Sequence, residues 1–203
     1  AALGAVRLGL GERQSVMKNR PSIVFITTDT MGRDLCSAYV NRLCVATPAL
    51  ERLARTGVLF ENAFCSAPVC TPARSSWYTG LPPNHNGAWT NGRSTLREAP
   101  MLAEILRDHG YATRHYGKWH LEGGGYDGAG QPDGGFEDWY DLTNFYADVG
   151  DDGLEPRRFR NWNRGNEDIE YCFAHRVADR AIETMRQFAA AENPLFLAVE
   201  FDE

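Results

Sequence analysis

Cys70, Pro72 and Arg74 stand at a spacing that could support nucleophilic chemistry on an anionic ester. A proline two residues after the cysteine suits the first turn of a helix, so a group at position 70 would sit at the positive end of the helix dipole. Arg74, one turn on, adds a fixed planar cation beside any charge that develops there. A second cluster, Gly117-Lys118-Trp119-His120, closes a short apolar run. Lys118 and His120 occupy alternate positions, which in an extended segment share one face. Lysine offers a mobile point charge for an anionic oxygen, and histidine offers a hydrogen bond or a proton. The third candidate is Asp29, which follows Ile23-Val24-Phe25-Ile26. A carboxylate at the end of a strand suits a hard divalent cation that prefers oxygen ligands.

These clusters need elements to hold them, and the hydrophobic pattern supplies alternating strands and helices. That alternation predicts an α/β fold, layered, with a mostly parallel central sheet flanked by helices. Residues 21–28 read as a continuous apolar strand buried on both faces. Thr47-Pro48 starts a helix with Leu50, Leu53 and Ala54 inward, ended by Gly57, and residues 58–64 suggest a further strand. Residues 99–109 form a helix with Met101, Leu102, Ile105 and Leu106 inward, and residues 111–117 return as a strand into the Lys118 cluster. Residues 121–165, rich in glycine, aspartate and aromatics, read as an insertion or lid outside the core, with 123–125 a flexible connection. A long amphipathic helix over 167–191 precedes a final buried strand over 195–201. Residues 1–20 read as an irregular N-terminal extension, leaving 21–203 as the N-terminal part of a catalytic domain.

The chain has 203 residues, 43% of them apolar, enough for one good core. A net charge of -6 argues against a nucleic-acid binder and does not advertise an anionic substrate. A sulfate or phosphate ester would therefore need a locally positive pocket built from a metal, Arg74 and Lys118. Five cysteines, at 36, 44, 65, 70 and 172, form neither paired ligand spacings nor a dense disulfide scaffold, so reduced thiols are expected. Residues 1–16 hold no membrane-spanning segment and no clear signal-peptide core. With Met17 reading as a natural start, the expectation is a cytoplasmic protein without a membrane partner, a removed signal peptide and a periplasmic or secreted protein being the alternative. His85 reads as a turn residue, and His109, His115 and His175 have no comparable context.

Taken together, Ile26-Thr27-Thr28-Asp29, Cys70-x-Pro72-x-Arg74 and residues 113–120 resemble the type I sulfatases of the alkaline phosphatase superfamily, from about residue 21 to the end. The resemblance implies an alkaline-phosphatase-like fold, incomplete at the C-terminus, and hydrolysis of a small-molecule or carbohydrate sulfate ester. It implies that a maturation enzyme oxidises Cys70 to formylglycine, an aldehyde that hydrates to a geminal diol. One hydroxyl attacks sulfur, and the other lets the sulfated intermediate collapse by carbon–oxygen cleavage. Arg74, Lys118 and His120 are the implied catalytic partners of Cys70, with Lys118 and His120 binding the sulfate. Asp29 and the modified Cys70 are implied ligands of a divalent metal, Ca2+ first, with Mg2+ or Mn2+ as alternatives. Ala73 stands where many relatives have serine, which leaves the key positions intact. Thr30 stands where an aspartate, asparagine or glutamine is common, and it is a weaker donor; Asp34 reads as a loop anchor. The same scaffold also fits a phosphate mono- or diester or phosphonate hydrolase, or an inactive sulfatase-like binding protein.

Overall fold

A run as apolar as Leu-Phe-Leu-Ala-Val must be covered on both faces, and the sheet is arranged to do that. The computed structural model describes residues 20–39, 45–121, 134–149 and 172–202. Its strands are Ile23–Thr28 (β1), Ala112–Gly117 (β2), Asp138–Tyr140 (β3) and Leu195–Phe201 (β4). They lie in the order β1-β4-β2-β3, with every neighbouring pair parallel. The described α-helices are Pro48–Thr56 (α1), Cys70–Thr79 (α2), Pro83–Asn86 (α3), Leu102–Asp108 (α4), Leu142–Val149 (α5) and Phe173–Phe188 (α6). None of them is long and apolar enough to cross a membrane.

The two-residue period of β4 divides the core in two. Leu195, Leu197 and Val199 pack with Leu142 and Phe145 of α5 and with Phe173, Val177 and Ala181 of α6. Phe196 and Ala198 pack on the opposite side with Tyr78 of α2, Ala103 of α4, Trp119 and Phe136. Each fully buried large apolar side chain contributes about 1.5–3 kcal/mol, so β4 is the main anchor of the sheet. The same parity puts Glu200 on the α2 side.

Several expectations change where burial depends on a neighbouring element. β1 pairs with β4 alone among the described residues, and Ile23, Val24 and Ile26 are exposed rather than covered on both faces. In α1 the stripe expected to face inward is open, Leu53 being 61% exposed. Residues 58–64 form no strand: they have no ladder partner, and Phe64 is 92% exposed. Within the expected insertion, residues 122–133 and 150–165 lie outside the described residues. Residues 138–149 instead supply β3 and α5, and Tyr140, Leu142 and Phe145 are core residues. The helix at 99–109 begins only at Leu102, its first turn held by Met101 N–H donating to Glu104 Oε2 at 2.9 Å, and Ile105 is exposed. Cys36, Cys65, Cys70 and Cys172 form no disulfide among the described residues, and Cys44 lies outside them.

Gly117 is where β2 gives way to the Lys118 loop. Its φ is +110°, and a Cβ built there would meet the Glu200 carbonyl oxygen at 1.9 Å. Gly92 also has positive φ, +79°, but has nothing within 4 Å. Gly117→Ala should therefore destabilise the protein by at least about 3 kcal/mol and Gly92→Ala by about 1 kcal/mol, measured by urea unfolding. Equal effects would contradict this close approach of the two strands.

Candidate active site

Parallel pairing ends three strands at one edge of the sheet. Thr28 pairs with Phe201 and Gly117 with Glu200, so the next residues, Asp29, Asp202 and Lys118, leave the sheet side by side. Asp29 N–H donates to Phe201 O and Lys118 N–H to Glu200 O, both at 2.9 Å, which locks these exits together. The Lys118 ammonium then bridges the two carboxylates, 2.7 Å from Asp29 Oδ2 and 2.5 Å from Asp202 Oδ1.

Helix α2 brings Cys70 to the same edge. Val69 is extended, Cys70 opens the helix, and Pro72 lies in its first turn, where a missing N–H costs nothing. Thr71 N–H donates to Asn91 Oδ1 at 2.9 Å, and Thr71 Oγ1 donates to the His120 carbonyl at 2.8 Å. Arg74, only 1% exposed, donates from Nη1 to Lys118 O at 2.8 Å and approaches Asp29 Oδ2 at 3.4 Å from Nη2. It also contacts the Glu200 carboxyl group. The five residues singled out in the sequence thus come together: Asp29, Arg74 and Lys118 in direct contact, and Cys70 and His120 joined through Thr71.

The electrostatics follow from this packing. Burial disfavours the Asp29 carboxylate, but the hydrogen bonds and charges of Lys118 and Arg74 outweigh it and hold its pKa below the usual range. Burial likewise works against the Lys118 ammonium, and Asp202 and Asp29 outweigh it, so its pKa is raised. Burial, then the Lys118 and Arg74 charges, push His120 below its ordinary value, leaving a neutral imidazole near pH 7 that can accept a proton.

His120 reaches this position by another route than the expected extended strand. Residues 118–120 lie beyond β2, and His120 has φ +56°. Thr30, beside Asp29, has φ +57°, unusual for a β-branched residue, so both flanks of the cluster are conformationally constrained. Sequence reasoning passed over Asp202, Glu200, Tyr78 and His115. A lone carboxyl group inside an otherwise apolar buried strand was the available signal for Glu200, because such a group must be paired. Asp202 could have been found as the residue leaving a second parallel strand beside Asp29.

Two carboxylates converging on one cationic atom are the right kind of donors for a hard divalent ion. They fit it in kind but not in number, since among the described residues no group of three or more His, Cys, Asp or Glu converges. Asp29 and Asp202 thus offer part of a shell.

Comparison with known proteins places the chain in a family. The Sulfatase family model matches residues 21–203. The chain is 32% identical over 193 residues to the uncharacterized sulfatase YidJ of Escherichia coli (strain K12), covering 91% of the chain and 38% of that protein. It is 30% identical over 203 residues to the N-acetylgalactosamine-6-sulfatase of Rattus norvegicus, covering 87% of the chain and 38% of the relative. The crystal structure of the yidJ sulfatase from Bacteroides fragilis superposes with a TM-score of 0.70 at 25% identity, over 90% of this chain and 43% of that one. The chain therefore spans about two fifths of the length of these relatives.

His115 provides a test of the buried polar layer. Burial, followed by the Arg74 charge, lowers it to about 3. Unfolding releases it to its ordinary value near 6.5, so the unfolded state binds more protons between these limits. Its stabilising contribution is complete above about pH 6.5 and is lost as pH falls toward 3, at up to about 1.4 kcal/mol per pH unit. In urea unfolding from pH 6.5 to 4, His115→Leu should flatten the acid slope by nearly one proton. An unchanged slope would contradict a neutral buried imidazole.

Proposed function

The chain belongs to the sulfatase family, and on that premise we propose that the intact protein hydrolyses a sulfate ester, with a carbohydrate sulfate as the substrate class. The observation that carries this reading is the position of Cys70 at the N-terminus of α2, with Arg74 and Thr71 tying that helix to the Lys118–His120 loop. The sugar assignment takes its support from the relative active on an N-acetylgalactosamine 6-sulfate, as its name states.

In this reading a maturation enzyme converts the Cys70 thiol to the aldehyde of formylglycine, whose hydrate supplies the attacking hydroxyl. The N-terminus of α2 favours negative charge at that position, and the buried Arg74 adds a cation that cannot be deprotonated. Lys118 has three N–H donors, of which Asp29 and Asp202 engage two, leaving one for a sulfate oxygen. His120, neutral at pH 7, accepts the proton of the remaining hydroxyl as the sulfated intermediate collapses to the aldehyde and free sulfate. Asp29 and position 70 would hold a divalent cation, calcium ahead of magnesium or manganese. When bound, such an ion acidifies the attacking hydroxyl and neutralises sulfate charge. Asp29 keeps its negative charge for that purpose because Lys118 and Arg74 depress its pKa.

Kinetics of the full-length protein on paired aryl sulfate and aryl phosphate or phosphonate esters test the assignment. The sulfate should be preferred, and a reversed preference would move the enzyme to the phosphoryl-transfer side of the superfamily. Cys70→Ala should abolish sulfate release with the melting temperature maintained; substantial residual turnover would remove position 70 from the chemistry. Lys118→Ala should slow turnover roughly a hundredfold or more, the scale of losing one charge-stabilising donor. An unchanged rate would take Lys118 out of the site.

A further inference from the structure

Glu200 is fully buried in a strand whose other six residues are Leu195, Phe196, Leu197, Ala198, Val199 and Phe201, and the proposed chemistry does not use it. Burying a carboxyl group there is costly unless it is paired and hydrogen-bonded. Among the described residues, three titratable side chains face it, Arg74, Tyr78 and His115. Arg74 of α2 contacts Glu200 Oε2 through Nη1, and the Tyr78 hydroxyl, one turn further along the same helix, donates to Oε1. His115 of β2 lies with Nε2 3.7 Å from Oε1, outside hydrogen-bonding distance. Burial raises the Tyr78 phenol above its ordinary value, so it remains a donor.

Glu200 and Asp29 approach Arg74 in different ways. Glu200 makes close contact from the core side, whereas Asp29 stands 3.4 Å away at the sheet edge and is also held by Lys118. A guanidinium is planar, so fixing one edge sets the direction of its remaining donors. One of those directions is the Lys118 carbonyl at 2.8 Å, in the loop that carries Lys118 and His120.

We propose that Glu200, steadied by the Tyr78 hydroxyl, is a positioning residue that neutralises Arg74 from behind and fixes its rotation. This holds Arg74 to a long 3.4 Å approach to Asp29 Oδ2, so that Lys118, at 2.7 Å, remains the nearer cation on that carboxylate. The arrangement explains why a charged residue occupies the strand that otherwise anchors the apolar core. Without Glu200, Arg74 would keep its charge, lose its nearest counter-ion and turn toward Asp29, consuming the carboxylate at the site. The inference rests on the sulfatase reading for the identity of the reaction, but the Glu200–Arg74 coupling can be read without turnover.

The experiment uses the full-length protein as wild type, E200Q, R74A and the double variant. Glutamine keeps the shape and an acceptor for Tyr78 but removes the charge. E200Q should lower kcat for an aryl sulfate roughly thirtyfold, within the range expected when a charge-stabilising group is misdirected, while KM changes less than threefold. Added to R74A, E200Q should produce no further loss. A multiplicative loss in both backgrounds, or an unchanged kcat in E200Q, would overturn the proposal. Binding of inorganic sulfate gives a second readout: E200Q should weaken it about tenfold with Arg74 present and less than twofold once Arg74 is alanine. If E200Q fails to fold, Tyr78→Phe replaces it and should show a smaller loss, about fivefold, again only with Arg74 present. A protein that prefers phosphate esters yet shows this coupling would sink the sulfatase reading and leave the positioning role intact. Sulfate hydrolysis without the coupling would do the reverse.

Discussion

A guanidinium cannot shed its charge, and Arg74 has almost no contact with water. The interior must therefore be arranged around it. Glu200 meets it from the core, the Lys118 carbonyl caps it at the loop, and Asp29 approaches it at the sheet edge. Well-packed apolar residues of similar volume could stabilise the fold as well or better, so the pair is poor evidence for stability alone. Its position one helical turn from Cys70 gives it a functional sense: a fixed cation is delivered where a nucleophile would develop negative charge.

The parallel sheet makes this arrangement possible. Strands running in one direction release their chains at one edge, and the register of β1, β4 and β2 brings Asp29, Asp202 and Lys118 out together. Gly117 permits the crowded passage beside Glu200, which no residue with a side chain could make unstrained. Helix α2 packs on the face reached by Phe196, Ala198 and Glu200, so Tyr78 contributes both to the apolar core and to the Glu200 contact. Core packing and site geometry are consequences of the same strand alternation.

Much of the site could be read in the sequence because its signals are local. Cys70, Pro72 and Arg74 sit within one helical turn and a half, and Lys118 and His120 within one loop, so spacing alone reports their neighbourhood. Glu200 and Tyr78 are 122 positions apart, and only the tertiary fold joins them. The buried strand over 195–201 was legible from its composition, but the exposure of β1 and α1 was not. Whether an apolar face is covered depends on elements elsewhere in the chain, not on the face itself. β3 and α5 were obscured by the glycine and aspartate around them, although Tyr140, Leu142 and Phe145 supply the apolar surface that holds them to the core. His120 joined the cluster through a left-handed turn that no alternating pattern foretells.

Mass spectrometry of the peptide carrying position 70, taken from catalytically active full-length protein, decides whether Cys70 is the source of the nucleophile. An aldehyde at position 70, trapped by a hydrazide reagent, should appear in a fraction that rises in step with specific activity. An active preparation in which that residue is entirely an unmodified cysteine thiol would contradict that role.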